Sequence, residues 1–217
     1  MAALAYHAAK TGYHSLIMAQ VKKPEVREAI LRAAERLFRR DGYQATTLAR
    51  VAREAGISPA TVYVYFDSKL ATLYAVYDPW LRRQLTALAR RLATIREPRA
   101  RLRALLVALW RDIPGWQNCF ANNLMQALAT STLRERYDPT LLHWVEARVA
   151  EVLRDTLPHR NNSLHHTHLA QVLMMAFDGF VIHRRLRQGS GCSDACIESM
   201  CDFVLGPRPR RRILNRD

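Results

Sequence analysis

The sequence predicts an all-α protein: a three-helix helix-turn-helix unit near the amino terminus followed by a larger helical domain, about nine helices in all. Three observations carry that reading. Glycine and proline are few, eight and nine in 217 residues, while Ala, Leu and Arg abound and favour helix. Apolar residues recur at helical spacing in successive segments, as in Ile197, Met200, Cys201, Val204 and Leu205. The stretch Thr47–Phe66, TLARVAREAGISPATVYVYF, reads as two short helices joined by a tight glycine turn.

Taken in order, residues 1–22 show no strong periodicity and form an expected disordered extension. Helix 1 is expected from near Pro24 to Asp41, with Ile30, Leu31, Ala34, Leu37 and Phe38 as its apolar stripe and Gly42 as its stop. Thr47 caps the next helix, which carries Leu48, Val51, Ala52 and Ala55 on one face and stops at Gly56. Ser58 caps the following one, and Pro59 at its first position needs no hydrogen-bond donor there. A long helix begins at Ser68. Pro79 falls in its middle, deleting a backbone hydrogen bond and predicting a kink or break near Asp78 that is either hinge or static bend.

Beyond it, Pro98 and Pro114 bracket a helix, and others cover Trp116–Thr130 and the segment from Asp138-Pro139 to Thr156. Leu157–Thr167 reads as a polar loop, Leu169–Leu186 as a long apolar helix, and Ser193 as the cap of the last one. The resulting domains are 1–22, 23–75, 76–206, and a basic tail at 207–217.

Thirty-three basic against nineteen acidic residues give a net charge of +14, which points to a polyanionic partner or to a basic solvated surface. No apolar run reaches the roughly 20 residues that span a bilayer, so no membrane partner is expected. The first residues lack the apolar segment of a secretion signal, so a cytoplasmic protein with reduced cysteines is expected. Catalytic constellations are missing: there is no nucleophile elbow, phosphate loop or metalloprotease helix. Neither an enzyme nor a cofactor is expected.

The run ILRAAERLFRRDGYQATT, the turn A-G-I-S-x-x-T-V-Y-x-Y-F and the flank through Asp67-Ser-Lys69 closely resemble the amino-terminal DNA-binding domain of the tetracycline-repressor (TetR) family over about residues 27–75. The remainder is compatible with that family only in its helix pattern. The resemblance implies a cytoplasmic, nucleoid-associated bacterial regulator. It would be a repressor, binding a palindromic operator in double-stranded DNA as a homodimer and released by an unidentified small effector. A regulator with a closed core, constitutive or controlled by a protein partner, is the alternative. A cavity of several hundred cubic ångströms would favour the effector and a close-packed middle the alternative. Chains of the family often begin near the position of Met18, which is the expected native start. A basic arm is the rival reading of the residues before it.

In a helix-turn-helix the second helix enters the major groove. The residues expected to meet base edges are Ser58, Pro59, Ala60, Thr61, Tyr63 and Val64. None is Arg, Lys, Asn or Gln, so bidentate reading of guanine or adenine is unavailable and specificity leans on thymine methyls and DNA shape. Thr47, Tyr65 and Lys69 are expected at phosphates. Arg50 stands where the family often has an acid, at a helix start where positive charge is unfavourable. A phosphate partner or simple exposure would explain it.

Polar or bulky groups on the apolar middle helices are the candidate effector contacts: Trp110, Trp116, Phe120, Asn123, Gln126, Trp144, Met174, Phe177 and Asp178. Core packing is the competing reading for the aromatic and Met residues, and a structural role for Asp178. The many arginines of helices 4 and 5 would suit an anionic effector or face water. The last two helices are the expected dimer interface through Phe177, Gly179, Phe180, Ile197, Met200, Cys201 and Val204. Cys192, Cys196 and Cys201 are read as packing residues rather than a redox or metal site, and no metal is expected. Replacing contacted thymines of a bound operator with uracil is expected to weaken binding. A series of such operators showing no loss at any position would contradict thymine-methyl readout.

Overall fold

A computed structural model of the chain describes residues 23–131, 138–157, 163–186 and 192–207. The expected extension before Lys23 and the tail beyond Pro207 lie outside them. Nine α-helices are found among the described residues. Helix α1, Pro24–Ala45, is interrupted at Gly42, whose φ of 80° lies where only glycine sits without strain. Its regular part therefore ends at Asp41, and Tyr43–Ala45 forms a joint to α2, Leu48–Ala55. Gly56 (φ 71°) closes α2 and Ser58 caps α3, Pro59–Tyr65. The three helices close on Ile30, Leu37, Phe38, Val51, Ala52, Val62 and Phe66, all buried.

Helix α4, Lys69–Ala93, starts from the Ser68 cap and runs through Pro79 as one helix. Of the kink or break expected near Asp78, the break is not present. Leu70, Leu73 and Tyr77 of α4 are buried near its start and Leu81, Leu85 and Leu92 further along. The buried residues form a single cluster from Ile30 to Val204, so the expected boundary at residues 75 and 76 falls inside a helix and a continuous core.

Helix α5, Pro98–Val107, is shorter than the bracketing prolines predict. A π turn over Ala108–Asp112 and a 3₁₀ turn over Ile113–Gly115 follow. Helix α6, Phe120–Thr130, starts later than expected, because Cys119 adopts a left-handed backbone (φ 58°) and Asn118 Oδ1 accepts from the Phe120 N–H at 3.2 Å. Helix α7 is Thr140–Thr156. Helix α8, Ser163–Leu186, begins before the predicted Leu169, so His165–Thr167, read as loop, are helical. Helix α9, Asp194–Leu205, is capped by Ser193, whose Oγ accepts from Cys196 N–H at 3.2 Å.

The arginines of α5 serve this architecture. Arg99 pairs with Glu198 and Asp202 and donates to Gly206 O at 2.8 Å. Arg103 reaches Asp194 at 2.8 Å and Glu198 at 2.9 Å, and Arg111 meets Asp194 at 3.0 Å. They tie α9 to α5 and the π turn rather than await an anionic ligand. Arg99 is the most enclosed, its side chain 12% exposed. Arg99→Ala should lower unfolding free energy by about 2 kcal/mol, the scale of charge-assisted hydrogen bonds. The urea midpoint measures it, and an unchanged midpoint would refute the role.

Candidate nucleic-acid interface and internal cavity

Helix α3 is held from within and open on its outer side. Val62 is fully buried, whereas Pro59, Ala60 and Tyr63 are exposed and Thr61, Val64 and Tyr65 half-buried. Ser58 Oγ accepts from the Thr61 N–H at 3.1 Å and lies 2.8 Å from Thr61 Oγ1, so both hydroxyls belong to the cap.

The expected phosphate anchors are engaged within the chain. Thr47 Oγ accepts from the Arg50 N–H at 3.2 Å. The Arg50 guanidinium pairs with Asp41 and donates to Ala45 O at 2.6 Å. An internal carboxylate thus partners the cation at the start of α2. Hydrogen bonds from Arg40, then Arg50, hold the Asp41 carboxyl below its ordinary range. Tyr65 Oη accepts from the Lys23 N–H at 2.8 Å, fastening the start of α1. Lys69 Nζ donates to Tyr43 O at 2.9 Å and stands 4.1 Å over the Tyr43 ring. Arg50 and Lys69 both hold the joint between α1 and α2.

That joint is also held from α6. Gln126 Oε1 accepts from the Gln44 N–H at 3.1 Å and lies 3.3 Å from where a Cβ on Gly42 would stand. Three residues earlier, buried Asn123 donates through Nδ2 to Phe38 O and to Tyr77 Oη, each at 3.0 Å. Tyr77 donates in turn to Asn118 O at 2.9 Å. Burial above all pushes its phenol up to about 12, so it stays protonated.

The opposite face of α6 lines a cavity of about 100 Å³. Phe120, Leu124 and Leu128 supply that wall. Tyr74, Leu81 and Leu85 come from α4, Leu141, Leu142 and Val145 from α7, and Met174, Phe177 and Asp178 from α8, with Leu109 and Ile113 completing it. Tyr74 and Asp178 are its polar members. An adjoining groove of about 370 Å³, which shares Tyr74 and Leu141, is lined by Arg27, Asp78, Arg82, Asp138 and others.

Of the expected effector contacts, Phe120, Met174, Phe177 and Asp178 line the cavity, and the others do not. The π turn directs Trp110 into the core, where Nε1 donates to Leu173 O at 3.1 Å. Trp116 packs edge-on against Trp80, ring centroids 4.6 Å apart, and Trp144 lies beneath Arg82 and Arg148. Asn123 and Gln126 face α1. The Leu, Ile and Val members of the wall carry no polar signal, so sequence reasoning could not separate them from ordinary core.

The sequence profile described as "Bacterial regulatory proteins, tetR family" matches residues 30–76. Residues 30–76 form a TetR-family helix-turn-helix domain. Among curated relatives, the HTH-type transcriptional activator FasR of Mycolicibacterium smegmatis is 30% identical over 108 residues, 48% of this chain and 49% of that protein. The chain spans about half the length, or less, of the curated relatives it matches. Among solved structures, the Bacillus subtilis regulator FadR in complex with stearoyl-CoA superposes with a TM-score of 0.62 at 17% identity, over 83% of this chain and 98% of that one. A transcriptional regulator from Saccharomonospora viridis in complex with choline gives 0.53 at 28% identity, over 84% and 96%. The TetR family is one of regulatory proteins, not enzymes.

Within this TetR fold the outer faces of α8 and α9 differ from the expected interface. Phe177, Ile197, Cys201 and Val204 are buried in the chain's own core. The stripe that periodicity revealed on α9 is the one its own domain covers. Left outside are Val172, Met175, Ile182 and Leu186 of α8 and Phe203 of α9, the last 83% exposed, with Gly179, Phe180 and Met200 half-buried. Cys192 is buried, and burial, then the Cys196 thiol beside it, pushes its pKa up to about 12. Among the described residues no group of three or more His, Cys, Asp or Glu is placed to hold a metal. Among the described residues no helix is long and apolar enough to cross a membrane.

Tyr63 is 57% exposed and supports no part of the core. Tyr63→Ala should cost about 1–3 kcal/mol in operator affinity, the range of one base contact, while leaving the melting temperature unchanged. Gel-shift titration and calorimetry together test this. Unchanged DNA affinity would remove Tyr63 from the interface.

Proposed function

We propose that this protein is a cytoplasmic transcriptional repressor that binds a palindromic operator in double-stranded DNA as a homodimer and is released by a small effector entering the cavity. The observation that carries the reading is α3, capped and anchored from within while Pro59, Ala60 and Tyr63 stand outward, as a helix meant for the major groove must.

Dimerisation is supported by α8. Val172, Met175, Gly179, Ile182 and Leu186 follow one another in alternating steps of three and four residues, the spacing of a seam between two helices. A glycine inside a helix costs about 1 kcal/mol relative to alanine, and a Cβ at Gly179 would meet nothing within this chain. Close approach by a second copy gives that glycine a purpose. Ile182→Glu, at a position 54% exposed, should yield a folded monomer that has lost operator binding. Sedimentation and gel shift read both properties, and a dimeric, fully active variant would refute this interface.

Release is supported by α6, which presents Phe120, Leu124 and Leu128 to the cavity and Asn123 and Gln126 to α1. A cavity of about 100 Å³ is well below the roughly 300–1,000 Å³ of typical ligand sites, so any sizeable ligand must displace its walls. Displacing α6 would move its grip on the joint beneath the reading helices. A ligand alters DNA affinity only to the extent that it favours the displaced arrangement. Gln126→Ala should keep ligand affinity yet reduce ligand-induced DNA release severalfold, as followed by fluorescence anisotropy. Full retention of release would show that the grip transmits nothing.

A cavity of about 100 Å³, smaller than the several hundred cubic ångströms expected of an effector site, favours a second reading, a regulator with a closed core that is constitutive or controlled by a protein partner. Thermal-shift and calorimetric screening separates the two. Apolar ligands that bind and weaken the DNA complex support the first, and an absence of binders supports the second.

A further inference from the structure

We propose that the cavity selects an apolar molecule carrying one positive charge, whose cationic group is met by Asp178. The inference rests on the cavity being an effector site and adds the sign of the ligand's charge.

Asp178 is an exposed residue at the cavity's edge on α8, beside Met174 and Phe177, and the surrounding protein removes part of its carboxylate's hydration. Burial raises its pKa above the ordinary value. Among the described residues it has no hydrogen-bonding or ion-pairing partner. A carboxylate at an apolar wall without a counter-charge gains from a cation placed there, because the attraction acts through a medium less screening than water.

The two arginines of the adjoining groove already have partners. Arg82, in the adjoining groove, pairs with Asp78 and lies 4.6 Å over the Trp144 ring. Arg27 sits 3.8 Å from Glu28 and 5.5 Å over the Phe66 ring. An anionic ligand would have to compete with Asp78 or Glu28 for those guanidinium groups, and its charge would be repelled by Asp178. A cationic ligand displaces no existing partner. The other lining residues, Tyr74 apart, offer only hydrocarbon, aromatic or thioether surface, which suits the remainder of such a molecule.

The test compares hexyltrimethylammonium, hexanoate and 1-hexanol, which share a tail and differ in charge, by titration calorimetry on the full chain and on Asp178→Asn. On the parent protein the ammonium should bind about tenfold tighter than hexanoate, the effect of one partly desolvated charge pair. Asp178→Asn should abolish that preference while leaving hexanol affinity within about twofold, and Asp178→Glu should restore part of it. Equal or tighter binding of hexanoate would overturn the assigned charge while leaving the cavity as an effector site. Loss of dimerisation in Asp178→Asn with the ammonium preference intact would also overturn it, and would assign the acid to the subunit contact. Binding of none of the three would remove the effector reading and this inference with it.

Discussion

The structure depends most on the grip of α6 on the end of α1. Asn123 donates to a main-chain carbonyl of α1 and to the Tyr77 hydroxyl of α4, so one buried amide joins three helices. Among the described residues its Oδ1 has no hydrogen-bond partner. Gln126 adds a second hold on the Gly42–Thr46 joint, and Arg50 and Lys69 close it from α2 and α4. The helix-turn-helix unit thus packs directly against α6, the helix whose other face lines the cavity.

This arrangement explains why residues that resemble DNA or ligand contacts are occupied internally. Arg50 and Lys69 carry positive charge beside the reading helix and donate hydrogen bonds to the joint. Similarly, the arginines of α5 stabilise α9. That pairing leaves the outward apolar side of α8 and α9 for another surface.

Local signals made the reading unit legible in the sequence. Thr47, Gly56, Ser58 and Pro59 each fix a backbone conformation through their own chemistry, and the structure ends its helices at those residues. The ends of the later helices were less legible. Pro79 is accommodated within α4, Cys119 takes a left-handed conformation that favours glycine, and the π turn at Ala108–Asp112 leaves no periodic mark. At the candidate sites, helical spacing identified apolar stripes but could not say which stripe meets the chain's own core. Ile197, Cys201 and Val204 were thus exchanged for the outward set containing Phe203. Asn123 and Gln126 were visible as polar residues on an apolar helix, but their partners lie more than eighty residues away, at Phe38 and Gln44.

In the proposed homodimer, the separation of the two reading helices is the decisive quantity. It can be measured by pulsed electron resonance between spin-labelled side chains introduced at Ala60 of each subunit, with and without a saturating hexyl ligand. The account predicts one narrow distance on operator DNA, set by successive major grooves about 34 Å apart, and a shift of several ångströms when the cavity is filled. An identical distance distribution in both states, under conditions where the ligand binds and DNA is released, would contradict it.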